Sequence, residues 1–309
     1  MKIVFMGTPQ FARHIAGKVH AQTPIDLIIT QPDKPVGRKR TLTPPPMKTF
    51  ALDHGIEVWQ PARLHEVMKA LLARDIDLII TAAYGLILPK RLLLHPSLGA
   101  INVHASLLPK LRGGAPIQRA IERGYETTGV TIMYMSERMD AGDIIAQRAT
   151  PIAPDETAGQ LFETLAHLGG DLLCEVLLSI FQNKITARAQ NDDDATYAYT
   201  ITRDEERLDF TKDAAALERK IRAFYPQPAT YFIADGQSFK IYRATLSEGS
   251  AAKAGEVIAH HKDGIVIQCA KDALKLLEVK PAGKGIMDGA ALVNGIGKQR
   301  LPLGSVVGE

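Results

Sequence analysis

Short apolar runs alternate with longer amphipathic segments from the amino terminus to about residue 181. The runs at 2–6, 27–30, 57–59, 78–82 and 100–104 read as buried strands, and the segments 10–20, 47–54 and 64–73 between them carry helical spacing. Strands separated by helices pair in parallel, because a crossover needs the length of a helix and covers the sheet faces. Further strands are predicted at 129–135 and 143–150, and a long helix at 157–181 closes the first domain. The expected fold is α/β: a Rossmann-like, mostly parallel sheet with helices on both faces. Periodicity fails at 185–202, where Asn191-Asp192-Asp193-Asp194 reads as an exposed connection. After a helix at 214–224 and a turn at Pro226-Gln227-Pro228, short strands follow at 230–233, 238–244, 255–260, 265–270 and 274–279. Their spacing predicts a small OB-like β-barrel. The domains are therefore expected at 1–184 and 203–309, joined by a linker at 185–202.

Composition changes this picture little. A chain of 309 residues that is 46% hydrophobic can fill two cores. Its formal charge of +3 permits a polyanionic partner without requiring one. Cys174 and Cys269, the only cysteines, stand far apart and have no metal-ligand spacing, so we expect neither disulfide nor metal. No uninterrupted apolar run approaches the roughly 18 residues of a membrane span. The amino terminus leads straight into a strand without a leader pattern. A cytoplasmic monomer with no membrane partner is the expectation. Gly7-Thr8-Pro9 after the first strand departs from Gly-x-Gly-x-x-Gly, which argues against a dinucleotide cofactor.

The chemistry gathers at Ala100 to Pro116, AINVHASLLPKLRGGAP. Side chains alternate along a strand, so Asn102 and His104 share a face while Ile101 and Val103 take the other. In open α/β sheets ligands bind beyond the carboxyl ends of the strands, where this pair lies. A histidine there serves equally well as a structural hydrogen-bonding group, and the pair alone leaves both readings open. The turn that follows, with Ser106-Leu107-Leu108-Pro109 and Arg112-Gly113-Gly114 before a helix at 117–123, is more elaborate than a plain strand-to-helix connection requires.

Together with Asp140-Ala141-Gly142-Asp143 downstream, that segment resembles the folate-dependent formyltransferases. GTPQFA, TQPDKPVGRKR and WQP after the first three strands, TYAYTITRDEERLDF in the linker and VKPAGKGIMDGAALVNG near the end extend the resemblance along nearly the whole chain. With these segments it resembles the branch of that family that formylates methionyl initiator tRNA. The resemblance implies 10-formyltetrahydrofolate as formyl donor and Asn102, His104 and Asp140 as the catalytic trio. Asp143 competes with Asp140 on chemistry alone; the family motif favours Asp140. An amine attacking a formamide carbonyl forms a tetrahedral oxyanion, which a carboxamide donor and an imidazolium stabilise while a carboxylate manages the amine's proton.

By the same resemblance Ser106, Leu107, Leu108 and Pro109 line the folate site, and Tyr84, Gly85, Leu86, Ile87 and Leu88 approach the pterin through backbone groups. Residues 86–88 read equally as ordinary core. Lys34, Arg38, Lys39 and Arg40 crowd a loop from Pro32 to Lys48; such a run is often only a solvated surface, but the resemblance makes tRNA its partner. Arg38, Lys39 and Arg40, with Thr8 and Phe11, are the candidates for holding the acceptor end. Thr200 stands where the family commonly has Lys, which puts any phosphate contact through that position in question. Two alternatives remain: a formyltransferase for an amino-sugar nucleotide or glycinamide ribonucleotide, and a tRNA- or folate-binding protein without catalysis.

Overall fold

A computed structural model describes residues 1–37 and 39–308. The chain divides into two compact units, one of residues 1–116, 127–151 and 162–199, the other of 117–126, 152–161 and 200–309. Elements of the first unit run β1 (Ile3–Gly7), α1 (Gln10–Gln22), β2 (Leu27–Ile29), β3 (Lys34–Val36), β4 (Thr41–Thr43), α2 (Pro46–Asp53), β5 (Glu57–Trp59), α3 (Met68–Leu72), β6 (Leu78–Ala82), α4 (Lys90–Leu93) and β7 (Ala100–His104). The chain continues through α5 (Pro116–Glu122), which beyond Pro116 falls in the second unit, and then β8 (Thr127–Tyr134), β9 (Ile144–Pro151) and α6 (Ala158–Phe181), which lies in the first from residue 162 on.

Seven strands form one sheet in the order β5-β2-β1-β6-β7-β8-β9. The first five are parallel, whereas β8 and β9 add antiparallel at one edge. Every residue of β1, β2 and β6 is buried, the signature of strands covered on both faces. The strand order reverses between β1 and β6, and the candidate strand β7 lies next to that switch.

Two local differences from the sequence reading have physical causes. The helix predicted at 64–73 is a 3₁₀ turn, Leu64–Glu66, followed by α3, because Val67 leaves helical geometry at φ −109°. The loop expected from Pro32 to Lys48 contains the β3–β4 hairpin, paired Lys34 to Thr43 and Val36 to Thr41, before α2 begins at Pro46. Every residue of both strands is exposed, so no burial alternation marks them in the sequence.

Helix α6 is long and apolar enough to cross a bilayer by length and composition. Its side chains Leu165, Leu172, Leu173, Leu177 and Ile180 are instead buried in the protein. Asp171 and Glu175 on its polar side pair with Lys18 and Arg148. It is a core helix with one wet stripe.

The second unit carries α7 (Ala214–Ala223), β10 (Thr230–Ala234), β11 (Gln237–Ser247), β12 (Val257–His261), β13 (Gly264–Gln268), β14 (Ala273–Pro281) and β15 (Met287–Asp288). The antiparallel order is β10-β11-β14-β13-β12, with β15 on β14. This is the small β domain that the spacing predicts; among the described residues its ladder forms an open path from β10 to β12. Phe232 and Phe239 stack with centroids 5.4 Å apart in its core, against Leu217 and Ile221 of α7.

Residues 188–198, within the expected linker, are fastened along the first unit. Arg188 bridges Ile144 and Tyr197 bridges Arg112. The Ala198 carbonyl accepts the Ala115 N–H at 3.0 Å.

Candidate active site

Strand β7 positions the first two candidates. Its neighbours pair Thr81 with Asn102 on one side, and Met133 with Asn102 and Thr131 with His104 on the other. Ile101 and Val103 are buried in the opposite layer, as the alternation requires. Thr81 Oγ1 donates to Asn102 Oδ1 at 2.8 Å. With its oxygen engaged by Thr81, the carboxamide keeps its NH₂ group as the end that can donate.

His104 is buried, and its Nε2 lies 3.0 Å from the Leu111 carbonyl oxygen. A carbonyl only accepts, so Nε2 carries a proton and Nδ1 is left as the reactive nitrogen. Nδ1 stands 3.7 Å from Asp140 Oδ2, longer than a hydrogen bond. The ring is therefore oriented by the Leu111 carbonyl. The same Asp140 oxygen accepts the Gly113 N–H at 2.8 Å. Asn102 and His104 thus share a strand face, and Asp140 is brought beside the imidazole. Asp143 gives its carbonyl to Tyr134 N–H at 2.9 Å.

The 105–116 turn is closed to solvent at most positions. Thr131 Oγ1 donates to the Ser106 carbonyl at 2.7 Å and accepts the Leu108 N–H at 3.1 Å. Gln147 Nε2 reaches both the Leu108 carbonyl and Thr131 Oγ1. Ser106 turns its hydroxyl to the Lys110 carbonyl at 2.6 Å. Ser106 and Leu108 are thus braced and buried, whereas Leu107 and Pro109 are half-buried. Gly113, at φ +123°, passes so close to the 198 peptide that a Cβ would sit 2.6 Å from the Ala198 carbonyl oxygen.

The pterin candidates split. Tyr84 and Leu88 belong to the apolar core, and burial pushes the Tyr84 phenol up to about 12. Gly85 and Ile87 are exposed and Leu86 is half-buried. Among the described residues the N–H groups of Gly85, Leu86 and Ile87 have no hydrogen-bond partner. Those peptide groups can meet the polar edge of a heteroaromatic ring. A cavity of about 530 Å³ opens beside Asp140, lined by residues 134–138 and 141–143.

The tRNA candidates also divide. Lys39 and Arg40 are exposed in the β3–β4 turn; Arg38 lies outside the described residues. Thr8 Oγ1 accepts the Gln31 N–H at 3.4 Å at the end of β1. Phe11 is buried, its ring edge-on to Phe162 with centroids 6.4 Å apart. No group of three or more His, Cys, Asp or Glu has metal-holding geometry among the described residues.

Sequence reasoning missed Thr81, which reads as an ordinary strand residue. It also missed Gln190, whose side chain reaches the Asp140 and Gly142 carbonyls and accepts from Arg112. No motif or periodicity marks either residue.

A family model described as "Formyl transferase" matches residues 1–177, and one described as "Formyl transferase, C-terminal domain" matches 200–297. The methionyl-tRNA formyltransferase of Macrococcus caseolyticus is 46% identical over 300 residues, covering 96% of each chain. That of Lysinibacillus sphaericus is 45% identical over 302 residues, again covering 96% of each. Among solved structures, an N-formyltransferase from Helicobacter canadensis in complex with folinic acid and dTDP-3-aminofucose superposes with a TM-score of 0.68 at 17% identity, over 89% of this chain and 99% of that one. HypX from Aquifex aeolicus with tetrahydrofolic acid gives 0.66 at 18% identity, over 97% of this chain and 48% of that one. At such identities the superpositions speak for the fold, while the family models reach both halves of the sequence. On those matches, and with the Asn-x-His pair set at the end of a parallel strand, the chain belongs to the formyltransferase family.

Proposed function

We propose that the chain transfers the formyl group of 10-formyltetrahydrofolate to the α-amino group of methionyl initiator tRNA, acting in the cytoplasm where aminoacyl-tRNA is used. The observation that carries the acceptor is 46% identity over 96% of both chains to a relative named for it. The structural neighbours named for sugar acceptors come with identities of only 17–20%.

The residues support the following course. The neutral amine attacks the formyl carbon and the carbonyl oxygen becomes an oxyanion. Asn102, its Oδ1 bound by Thr81, offers an N–H donor to that charge. His104 keeps Nε2–H on the Leu111 carbonyl, and Nδ1 takes up the proton shed by the attacking amine. The Asp140 carboxylate, 3.7 Å away, faces the charge that develops on the ring. Collapse of the intermediate returns the proton to the departing N10, and no covalent bond to the protein forms. The 85–87 peptide groups and the 106–109 turn serve the folate. Lys39 and Arg40, with Arg38, serve the tRNA phosphates through contacts that fade with salt.

Formyl transfer measured in parallel with methionyl initiator tRNA, an amino-sugar nucleotide and glycinamide ribonucleotide tests this reading. Transfer to the tRNA alone is the expected result. Transfer only to a small acceptor overturns the acceptor assignment, and folate binding without transfer to any acceptor leaves a binding protein.

A further inference from the structure

Arg112 is 1% exposed, an unusual place for a guanidinium, which is strongly disfavoured away from water unless its donors are used. They are used on one short stretch of chain. Its Nε and Nη2 donate to Gln190 Oε1 at 3.1 and 2.8 Å, and Nη2 stands 2.9 Å from Asp192 Oδ1. The other end of the Gln190 carboxamide faces the loop after β8. Its Nε2 donates to the Asp140 carbonyl at 2.9 Å and to the Gly142 carbonyl at 2.7 Å. Both amide hydrogens are thereby engaged, and their acceptors flank the peptide between the two residues.

The loop needs such a hold. Asp140 sits at φ +50°, a left-handed conformation that costs a non-glycine residue free energy and persists only where its surroundings over-determine it. Gly142 passes so close to the Tyr134 carbonyl that a Cβ would run into it. From this turn the Asp140 carboxylate is aimed at the Gly113 N–H and at His104 Nδ1.

We infer that Gln190 is a positioning residue: oriented by the buried Arg112, its carboxamide clamps the 140–142 turn and so sets where the Asp140 carboxylate stands relative to His104. The inference rests on the proposed role of Asp140. Arg112 matters here by deciding which end of Gln190 faces the loop, since a guanidinium accepts nothing and forces the amide oxygen toward itself.

The test is a double-mutant cycle in single-turnover formyl transfer, run on the full chain with Gln190→Glu, Asp140→Asn and the pair. Gln190→Glu keeps an acceptor for Arg112, which protects folding, but gives up both donors to the turn. The expected rate loss for Gln190→Glu is about tenfold, smaller than the roughly 10²-fold that a full ångström of misplacement can cost. The KM values for folate and tRNA stay near wild type. In the Asp140→Asn background the same change is expected to cost less than twofold, because a clamp on a side chain no longer functional has nothing to position. Hydrogen exchange supplies a readout independent of turnover: the Gly113 amide, which donates to Asp140 Oδ2, should exchange faster in Gln190→Glu while distant core amides do not.

A wild-type rate in Gln190→Glu, or a penalty equally large in the Asp140→Asn background, overturns the clamp. A wild-type rate in Asp140→Asn overturns the role given to Asp140 instead, while faster Gly113 exchange in Gln190→Glu would still show the structural hold. Gln190→Ala, which also leaves Arg112 short of a partner, adds a thermal-unfolding comparison that separates lost stability from lost positioning.

Discussion

The connections that follow β2 and β7 both leave the carboxyl end of the same parallel sheet, yet they differ in how they meet water. In the β3–β4 hairpin every strand residue is exposed, and its turn carries Lys39 and Arg40. In the 105–116 turn, by contrast, Ala105, Ser106, Leu108, Leu111, Arg112 and Ala115 are buried. Besides His104, Ser106 and Asp140, the side chains of Thr131, Gln147 and Thr196 donate to or accept from its peptide groups. A hydrogen-bonded, dry turn can hold reacting groups in place before substrate arrives, which is what oxyanion stabilisation requires. An exposed ribbon of basic residues has little of its own to pack against and suits a partner that brings the opposite charge. On the function proposed above, the difference separates chemistry from docking along one sheet edge.

If that division holds, the largest effect belongs to the β7 side. His104→Ala is expected to lower the single-turnover rate by about 10²-fold or more, the range of general acid–base and oxyanion groups, with little change in tRNA affinity. A rate near wild type would remove the imidazole from the chemical step. Thr81→Val sharpens the comparison further, since it is nearly isosteric and deletes only the hydroxyl that holds Asn102 Oδ1. A freed carboxamide flips between its two orientations, so we expect a loss of about one net hydrogen bond's worth, roughly fivefold to tenfold in rate. Thr81→Ser should restore it.

How far the site could be read from the sequence follows the same boundary. The shared face of Asn102 and His104 is written in the local alternation of β7, and the strands of the second unit in their short, regular spacing. The groups that set their geometry are not local. Thr81 reaches Asn102 across a ladder 21 residues away, and Gln190 reaches the Asp140 carbonyl across 50. A threonine inside a strand and a glutamine in a polar stretch are unremarkable until folding brings them to their partners. Residues 86–88 show the opposite case, where an apolar string resolves into the core residue Leu88 and the exposed Ile87. The hairpin leaves no mark in the sequence because none of its described residues is buried, and burial is what gives strands their pattern.

On the docking side, Lys39→Ala with Arg40→Ala should weaken the productive use of tRNA by several-fold and lower the slope of log affinity against log salt by about 1 to 2, as lost phosphate contacts do. Folate affinity is expected to stay unchanged in that variant. Arg38→Ala should behave alike and more strongly. An equal fall in folate affinity would break the separation of the two loops.

The smallest effect concerns acid. The Asp192 carboxylate is held below its ordinary value of 3.8 by its hydrogen bonds to Arg138 and then Arg112. A carboxylate depressed in the folded state contributes stability above its unfolded pKa and loses that contribution as the pH falls through the folded one. Thermal unfolding of Asp192→Asn should therefore show a small deficit at pH 7. The deficit should shrink below pH 3.8 and vanish once the wild-type carboxylate is protonated too. Because Asp192 is half exposed, the deficit will be modest and reduced by salt. A deficit that persists unchanged into acid would mean that the side chain acts through packing rather than charge. The buried guanidinium of Arg112 would then depend on Gln190 alone, which would make the neutral amide, not the ion pair, the element that holds the catalytic turn together.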